Sequence, residues 1–233
     1  MMNMPKDTEY SSISVENLLG RPLNDIETKY APKELYFKGS LKIPLPRPRV
    51  SIIGSRKASM NGLEDAKIIT KTLLEKQTVI VSGLAEGIDT SAHETAIRSG
   101  GKTIAVLGTP LNKVYPKKNS MLQQEIMSKH LAISQFPVGH PTTPKDFVLR
   151  NRTMALISDA TVIVEAGNTS GSLHQGWEAI RLGRPLFIWK AVLKNTQLSW
   201  PEEMFQYGAI ELSDPMDLFE FLPSNLEMID VFQ

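Results

Sequence analysis

Four short stretches carry small residues beside hydroxyls or bases. They are Gly54-Ser55-Arg56-Lys57, Ser82-Gly83-Leu84-Ala85-Glu86-Gly87, Gly108, and Glu165-Ala166-Gly167-Asn168-Thr169-Ser170-Gly171-Ser172. Small residues leave backbone N–H groups open, and hydroxyls add further donors. At a helix N-terminus these groups gain partial positive charge, which together makes a phosphate cradle. Glycine after a single parallel strand serves packing equally well, so only a set of such turns on one edge argues for an anion site. The first turn lacks the G-x-G-x-x-G spacing, no acid ends the second strand to hold a ribose, and there is no Walker lysine. Nicotinamide and P-loop nucleotide sites are thereby set aside.

The surrounding charge points to a polyanion. Lys38, Lys42, Arg47, Arg49, Arg56 and Lys57 fall in one stretch without an acid, and Lys113, Lys117 and Lys118 cluster further on. The segment Lys145-Asp146-Phe147-Val148-Leu149-Arg150-Asn151-Arg152 adds three bases and an aromatic ring. On a helix Phe147 and Arg150 share a face, so a base can stack on the ring while the guanidinium holds its phosphate. The same spacing also fits Phe147 in the core with Arg150 and Arg152 in ion pairs. Arg56, directly after the first glycine, favours a ligand role.

These turns need elements to hold them. Apolar runs without alternation at Val50–Gly54, Thr78–Val81, Thr103–Leu107, Leu131–Ser134, Thr161–Val164 and Pro185–Ile188 read as strands covered on both faces. Helical segments separate them: Gly62–Lys76, Asp89–Ser99, Ser120–Lys129, Lys145–Ile157 and Ser172–Leu182. Strands alternating with helices predict an α/β fold, a doubly wound, mostly parallel Rossmann-like sheet with helices on both faces. In such sheets ligands bind at the carboxyl ends of the strands, where the four stretches lie. The chain divides into an arm over 1–30 with a short helix near Val15–Leu19, a Rossmann-like domain over 31–190, and an appendage over 191–233. The triple proline of Leu41–Arg49 reads as extended chain, and Asp214–Phe221 as a short helix with Asp214 at its cap and Pro215 first inside.

Composition narrows the setting. The 233 residues include no cysteine, which excludes disulfides, thiolate metal sites and cysteine nucleophiles. No run approaches the roughly 18 apolar residues of a membrane span, and the polar start has no apolar signal core. The expectation is a cytoplasmic protein. The net charge of +1 hides a split: residues 195–233 hold eight acids and no Lys or Arg, so they carry −8 against +9 for the rest (26 bases, 17 acids). Such a split suggests an anion-binding body with an acidic appendage.

Taken in order, Gly54-Ser55-Arg56, Ser82 to Asp89, Ala92-His93, Tyr115-Pro116, Phe147 with Arg150-Asn151-Arg152, and Glu165-Ala166 with Ser170-Gly171-Ser172-Leu173 resemble the DNA-processing protein A (DprA, or Smf) family. The resemblance runs from about Tyr30 to Ile188. It implies a Rossmann domain that binds single-stranded DNA as a homodimer, protects incoming strands and hands them to a RecA-type recombinase, with no covalent chemistry and no cofactor. By that resemblance Arg56, Ser82, Gly83, Lys145, Phe147, Arg150 and Arg152 line the strand-binding pocket, and Gly54, Ser55, Lys57 and Asn151 beside them complete the candidate DNA- and phosphate-binding set. Ser170, Gly171 and Ser172 hold a phosphate, and Asp89 and His93 organise the turn and helix. The chain departs from the family pattern at Ser134-Gln135-Phe136-Pro137, where a glutamate is usual second, at Gln175-Gly176 in place of Thr-Ala, and at Trp189-Lys190-Ala191 after the last strand. It also has only about thirty residues ahead of the match, and the acidic appendage in place of a winged-helix-like domain.

Two other functions compete. A phosphoribohydrolase related to the LOG group needs a carboxylate on the glycosidic bond, and Gln175 occupies the matching position; an amide cannot take that role. A small-nucleotide sensor would use the same turns for one phosphate.

Overall fold

The computed structural model describes residues 10–223. Strands β1 (Ser11–Ile13), β2 (Leu35–Gly39), β3 (Arg49–Gly54), β4 (Val79–Ser82), β5 (Thr103–Leu107), β6 (Leu131–Ser134), β7 (Ala160–Glu165), β8 (Leu186–Trp189) and β9 (Ile210–Leu212) form one sheet. Its order is β1-β2-β6-β5-β4-β3-β7-β8-β9. The run from β6 to β9 is parallel throughout, while β2 joins β6 and β1 joins β2 antiparallel. This is the expected mostly parallel Rossmann-like sheet.

Helices cover both faces. Alternate residues of each central strand feed two cores, as a two-sided sheet requires. Val50, Ile52, Ile80 and Val162 meet Ala66, Ile69 and Leu73 of α3 (Met60–Glu75) and Ala92 and Ala96 of α4 (Ile88–Arg98). On the other face Ile53, Val81 and Ile163 meet Met154, Ala155 and Ile157 of α6 (Pro144–Ile157) and Ala179 of α7 (Ser172–Arg181). Between them in sequence, α5 (Ser120–Lys129) buries Ile126 against Leu107 and Leu111. The chain winds from β3 out to β6, then crosses back to β7 beside β3. That reversal opens a crevice at the carboxyl ends of β3 and β7.

Segments near both ends of the described residues contribute to the sheet. Before β3, α1 (Val15–Leu19) forms where the sequence predicts it, capped by Ser14 and closed by Gly20 in the left-handed region. Val15 and Leu18 of α1 are buried in the α6–α7 core. The strands β1 and β2 and helix α2 (Asp25–Tyr30) were not foreseen, because each is short and polar on one side. Glu27 of α2 is 1% exposed and accepts from both Arg21 Nη1 at 2.8 Å and Nη2 at 2.7 Å, and from Arg184 Nη2 after α7. After β8, α8 (Lys190–Leu193) and α9 (Trp200–Gln206) lead to β9, and Trp200, Met204, Leu212 and Leu218 are buried. Asp214 caps a 3-10 turn over Pro215–Glu220, as expected.

The basic stretch at Lys38–Lys57 does not gather at one place. Asp159 accepts from Arg47 Nε at 2.9 Å and from the Arg49 backbone N–H at 2.8 Å. The Arg49 guanidinium is 3% exposed and donates to the carbonyls of Ile157, Leu45 and Pro46; burial pulls its pKa down to about 10. Both arginines sit at the amino end of β3, across the sheet from the crevice. The expectation that they belong to a polyanion site is corrected: their charge is consumed by Asp159 and by carbonyls.

Removing a carboxylate that serves two arginines leaves buried charge uncompensated. Glu27→Ala should therefore lower stability by about 3 kcal/mol in urea denaturation, an outcome that an exposed Glu64→Ala control should not reproduce.

Candidate functional site

The turn after β3 is tied down from two sides. Ser55 N–H donates to the Glu165 carbonyl at 2.7 Å, and the Ser55 carbonyl accepts from Ile88 N–H at 3.2 Å. Ser59 caps α3 through Gly62 N–H at 3.0 Å, while its own N–H and hydroxyl donate to the Glu165 carboxylate. Between these anchors Arg56 and Lys57 are exposed and form no ion pair among the described residues.

The floor is built by Arg150 of α6. It is 5% exposed, and its Nη1 donates to the Val106 carbonyl at 3.0 Å. A Cβ on Gly83 would lie 1.6 Å from that same Nη1, so only glycine leaves the guanidinium its space. Asp89 of α4 is its electrostatic partner, accepting from Gly83 N–H at 3.1 Å and Ala85 N–H at 3.3 Å. Burial pushes the Asp89 carboxyl up and the Arg150 guanidinium down, and the attraction between them opposes both shifts.

One turn earlier on α6, Phe147 lies against Gly108, whose Cβ would meet the ring at 2.5 Å. The Tyr115 ring stands 5.1 Å from Phe147 at 52°, giving an aromatic step at the rim. Opposite, Asn151 Nδ2 donates to the Gly171 carbonyl at 3.0 Å, and the Ser170 and Ser172 hydroxyls share a 2.6 Å bond. No side chain caps the N-terminus of α7.

These parts enclose a cleft of about 730 Å³. It is lined by Gly54, Ser55, Arg56, Lys57, Phe147, Arg150, Asn151, Ser170, Gly171 and Ser172 among the sequence-predicted residues. The other four stand apart. Ser82 is fully buried and donates to the Ile52 carbonyl at 2.7 Å, and Gly83 makes room for Arg150. Lys145 is exposed beside the cleft at the start of α6. Arg152 faces Glu178 at 3.4 Å with its guanidinium 5.0 Å from the Tyr30 ring, the ion-pair alternative the spacing had left open. The lining residues not singled out as site residues include Tyr115, His174 and Gln175. For Tyr115 the Tyr-Pro pair was a usable signal, and for Gln175 the departure from Thr-Ala; His174 offered none.

Against this geometry, the sequence model for DNA recombination-mediator protein A matches residues 2–223. The chain belongs to that family. It is 39% identical over 196 residues to the DNA processing protein DprA of Streptococcus pneumoniae, covering 82% of this chain and 68% of the relative. The crystal structure of S. pneumoniae DprA superposes with a TM-score of 0.77 at 32% identity, covering 93% of this chain and 75% of the other. A Helicobacter pylori DNA processing protein A, whose structure concerns its single-stranded DNA binding mode, gives a TM-score of 0.77 at 26% identity, covering 93% and 97%.

Within the DprA-family fold, His93 has a structural place. It is fully buried on α4, its Nδ1 is 2.7 Å from the Thr103 hydroxyl, and that hydroxyl donates onward to the Ile80 carbonyl. Nδ1 therefore carries the proton. Burial holds the ring neutral, with its pKa pulled down to about 3.

Two outcomes follow from the floor and the helix behind it. Gly83→Ala should expel Arg150, lowering stability by about 2–4 kcal/mol, whereas Arg56→Ala should leave the unfolding midpoint unchanged. His93 has a folded pKa below its unfolded value of about 6.5, so its contribution is complete above that pH and is lost as pH falls toward 3. His93→Gln should flatten the part of the stability loss that urea titrations resolve between those limits.

Proposed function

We propose that this chain binds single-stranded DNA in the cleft between the β3 turn and the serine loop, protecting the strand and assisting its delivery to a recombinase. One observation carries the reading: unpaired Arg56 and Lys57, an uncapped helix N-terminus with two serine hydroxyls, and the Phe147–Tyr115 step converge on one cleft. Cations and helix N-termini hold phosphates without regard to sequence, and stacked rings hold bases. Single-stranded DNA binding by the H. pylori relative supports the same assignment. Lys145 extends the basic rim, while Ser82, Gly83 and Arg150 act beneath it by shaping the floor. A RecA-type recombinase as recipient, a homodimer as the working form and the cytoplasm as its compartment complete the proposal.

The proposal assigns no bond-making step. The position that would need a carboxylate for glycosidic cleavage holds Gln175, and Glu178 is committed to Arg181 at 3.0 Å and to Arg152. The competing reading is a sensor of a single nucleotide, since the cleft volume falls within the usual range for small ligands.

Fluorescence anisotropy separates the two. For a labelled single strand of about twenty nucleotides, affinity should exceed that for a duplex of equal length. Its logarithm should fall with log salt by about 0.7 for each phosphate neutralised. Arg56→Ala should weaken binding and reduce that slope by nearly one phosphate. Equal affinity for a mononucleotide and the long strand would instead support the sensor.

A further inference from the structure

We propose that the bound strand continues past the main cleft into a second one, beyond Glu165, which takes a further nucleotide of any base. This rests on the reading of the main cleft as a single-strand site and extends that site to residues not assigned to it.

The second cleft measures about 590 Å³ and opens at the same edge of the sheet, between the first turns of α3 and the chain that follows β8. Gly167 lines both clefts. It is exposed, and a Cβ there would meet nothing within 4 Å, so the ridge between the clefts is bare at that point. The ridge is also braced. Asn168 Nδ2 donates to the Gln197 carbonyl at 3.2 Å, and Asn168 Oδ1 accepts from Ser199 N–H at 3.3 Å. Trp189 and Lys190, which line the second cleft, are among the residues at which the sequence departs from the family pattern, so the resemblance supplies no role for it.

The ligand class follows from the lining. Val164, Ala166, Trp189 and Val192 are buried and give the cleft an apolar floor. Lys190 and Lys194 are exposed at its rim and form no ion pair among the described residues. An ammonium has three donors, and Lys190 commits one of them, to the Ser213 carbonyl at 2.6 Å. Two acids also line the cleft. Glu165 is tied to Ser59, whereas Asp65 on α3 is half-buried and in no ion pair among the described residues. A bare phosphate would gain from the lysines and lose to Asp65. A nucleotide uses all three parts: phosphate on the lysines, ring on the apolar floor, and a base N–H for the Asp65 carboxylate. Every unpaired base carries such an N–H on its free edge, so the contact favours a single strand without selecting a sequence.

The test is anisotropy of a labelled single strand of about twenty nucleotides across a salt series, with thermal unfolding to check that each variant folds. Lys194→Ala should weaken binding roughly threefold to tenfold and reduce the log–log salt slope by about 0.7, and Lys194→Glu should weaken it further. Lys71→Ala removes the same charge from an exposed position on α3 that lines neither cleft, and should change neither quantity. Asp65→Ala separates a nucleotide from passing phosphates: it should weaken binding, and tighter binding overturns the proposal. The indole N–H resonance of Trp189, assigned by its loss in Trp189→Phe, should shift when the strand binds wild type. Binding that Arg56→Ala weakens, but that both Lys194 variants and the Trp189 resonance ignore, overturns this proposal and leaves the main cleft standing. Wild type that binds no strand overturns the single-strand reading and this proposal with it.

Discussion

A guanidinium buried beneath a sheet edge must find charge, carbonyls and space together. Arg150 finds them in Asp89, the Val106 carbonyl and the gap left by Gly83. Removing an ion from water costs several kcal/mol, so α6 is held wherever that arrangement is complete. Everything on the α6 side of the cleft then follows by helical spacing. Phe147 falls one turn earlier at the rim, and the next residue, Asn151, reaches the serine loop. The other wall depends on the same floor through Asp89, which fixes the Gly83–Ala85 turn from the start of α4.

Net charge says little about where a polyanion can bind; the ends of the strands decide it. At the amino ends Arg47 and Arg49 meet Asp159, and Arg21 and Arg184 meet Glu27. Those cations are spent on joining the residues ahead of β3 and the turn after α7 to the sheet. At the carboxyl ends Arg56 and Lys57 form no ion pair among the described residues, and the α7 N-terminus adds its dipole without a side-chain cap. A similar density of bases in sequence therefore yields a structural clamp at one edge and a positive rim at the other.

The central α/β pattern was legible because its signals are local. Runs such as Thr103–Leu107 and Leu131–Ser134 coincide with β5 and β6, and the glycines after strands mark the turns. The edges were not. Strand β9 is only Ile-Glu-Leu, and β2 pairs antiparallel with β6 across almost a hundred residues, so neither carries a periodic signature long enough to read. In the site, residue types near the turns gave most of the cleft lining, since topology sends every β–α turn to one edge. What composition could not supply was partnership. Arg152 and Arg49 look like phosphate ligands until Glu178 and Asp159 are seen opposite them. Gly83 looked like an open backbone N–H, and serves instead as space for a side chain distant in sequence.

Glu165 shows how an anion site tolerates an acid at its edge. It ends β7, next to β3, and a free carboxylate there would repel phosphate. Instead its oxygens accept from the N–H and hydroxyl of Ser59, at the N-terminus of α3, where negative charge is stabilised by the helix dipole. Its carbonyl meanwhile holds Ser55 N–H, so one residue fixes both the position of the β3 turn and the direction of its own charge. The two serines divide the work. Ser59 faces Glu165 outside the cleft, whereas Ser55 lines it. The positive rim is therefore as much a result of where the acids are tied as of where the bases stand.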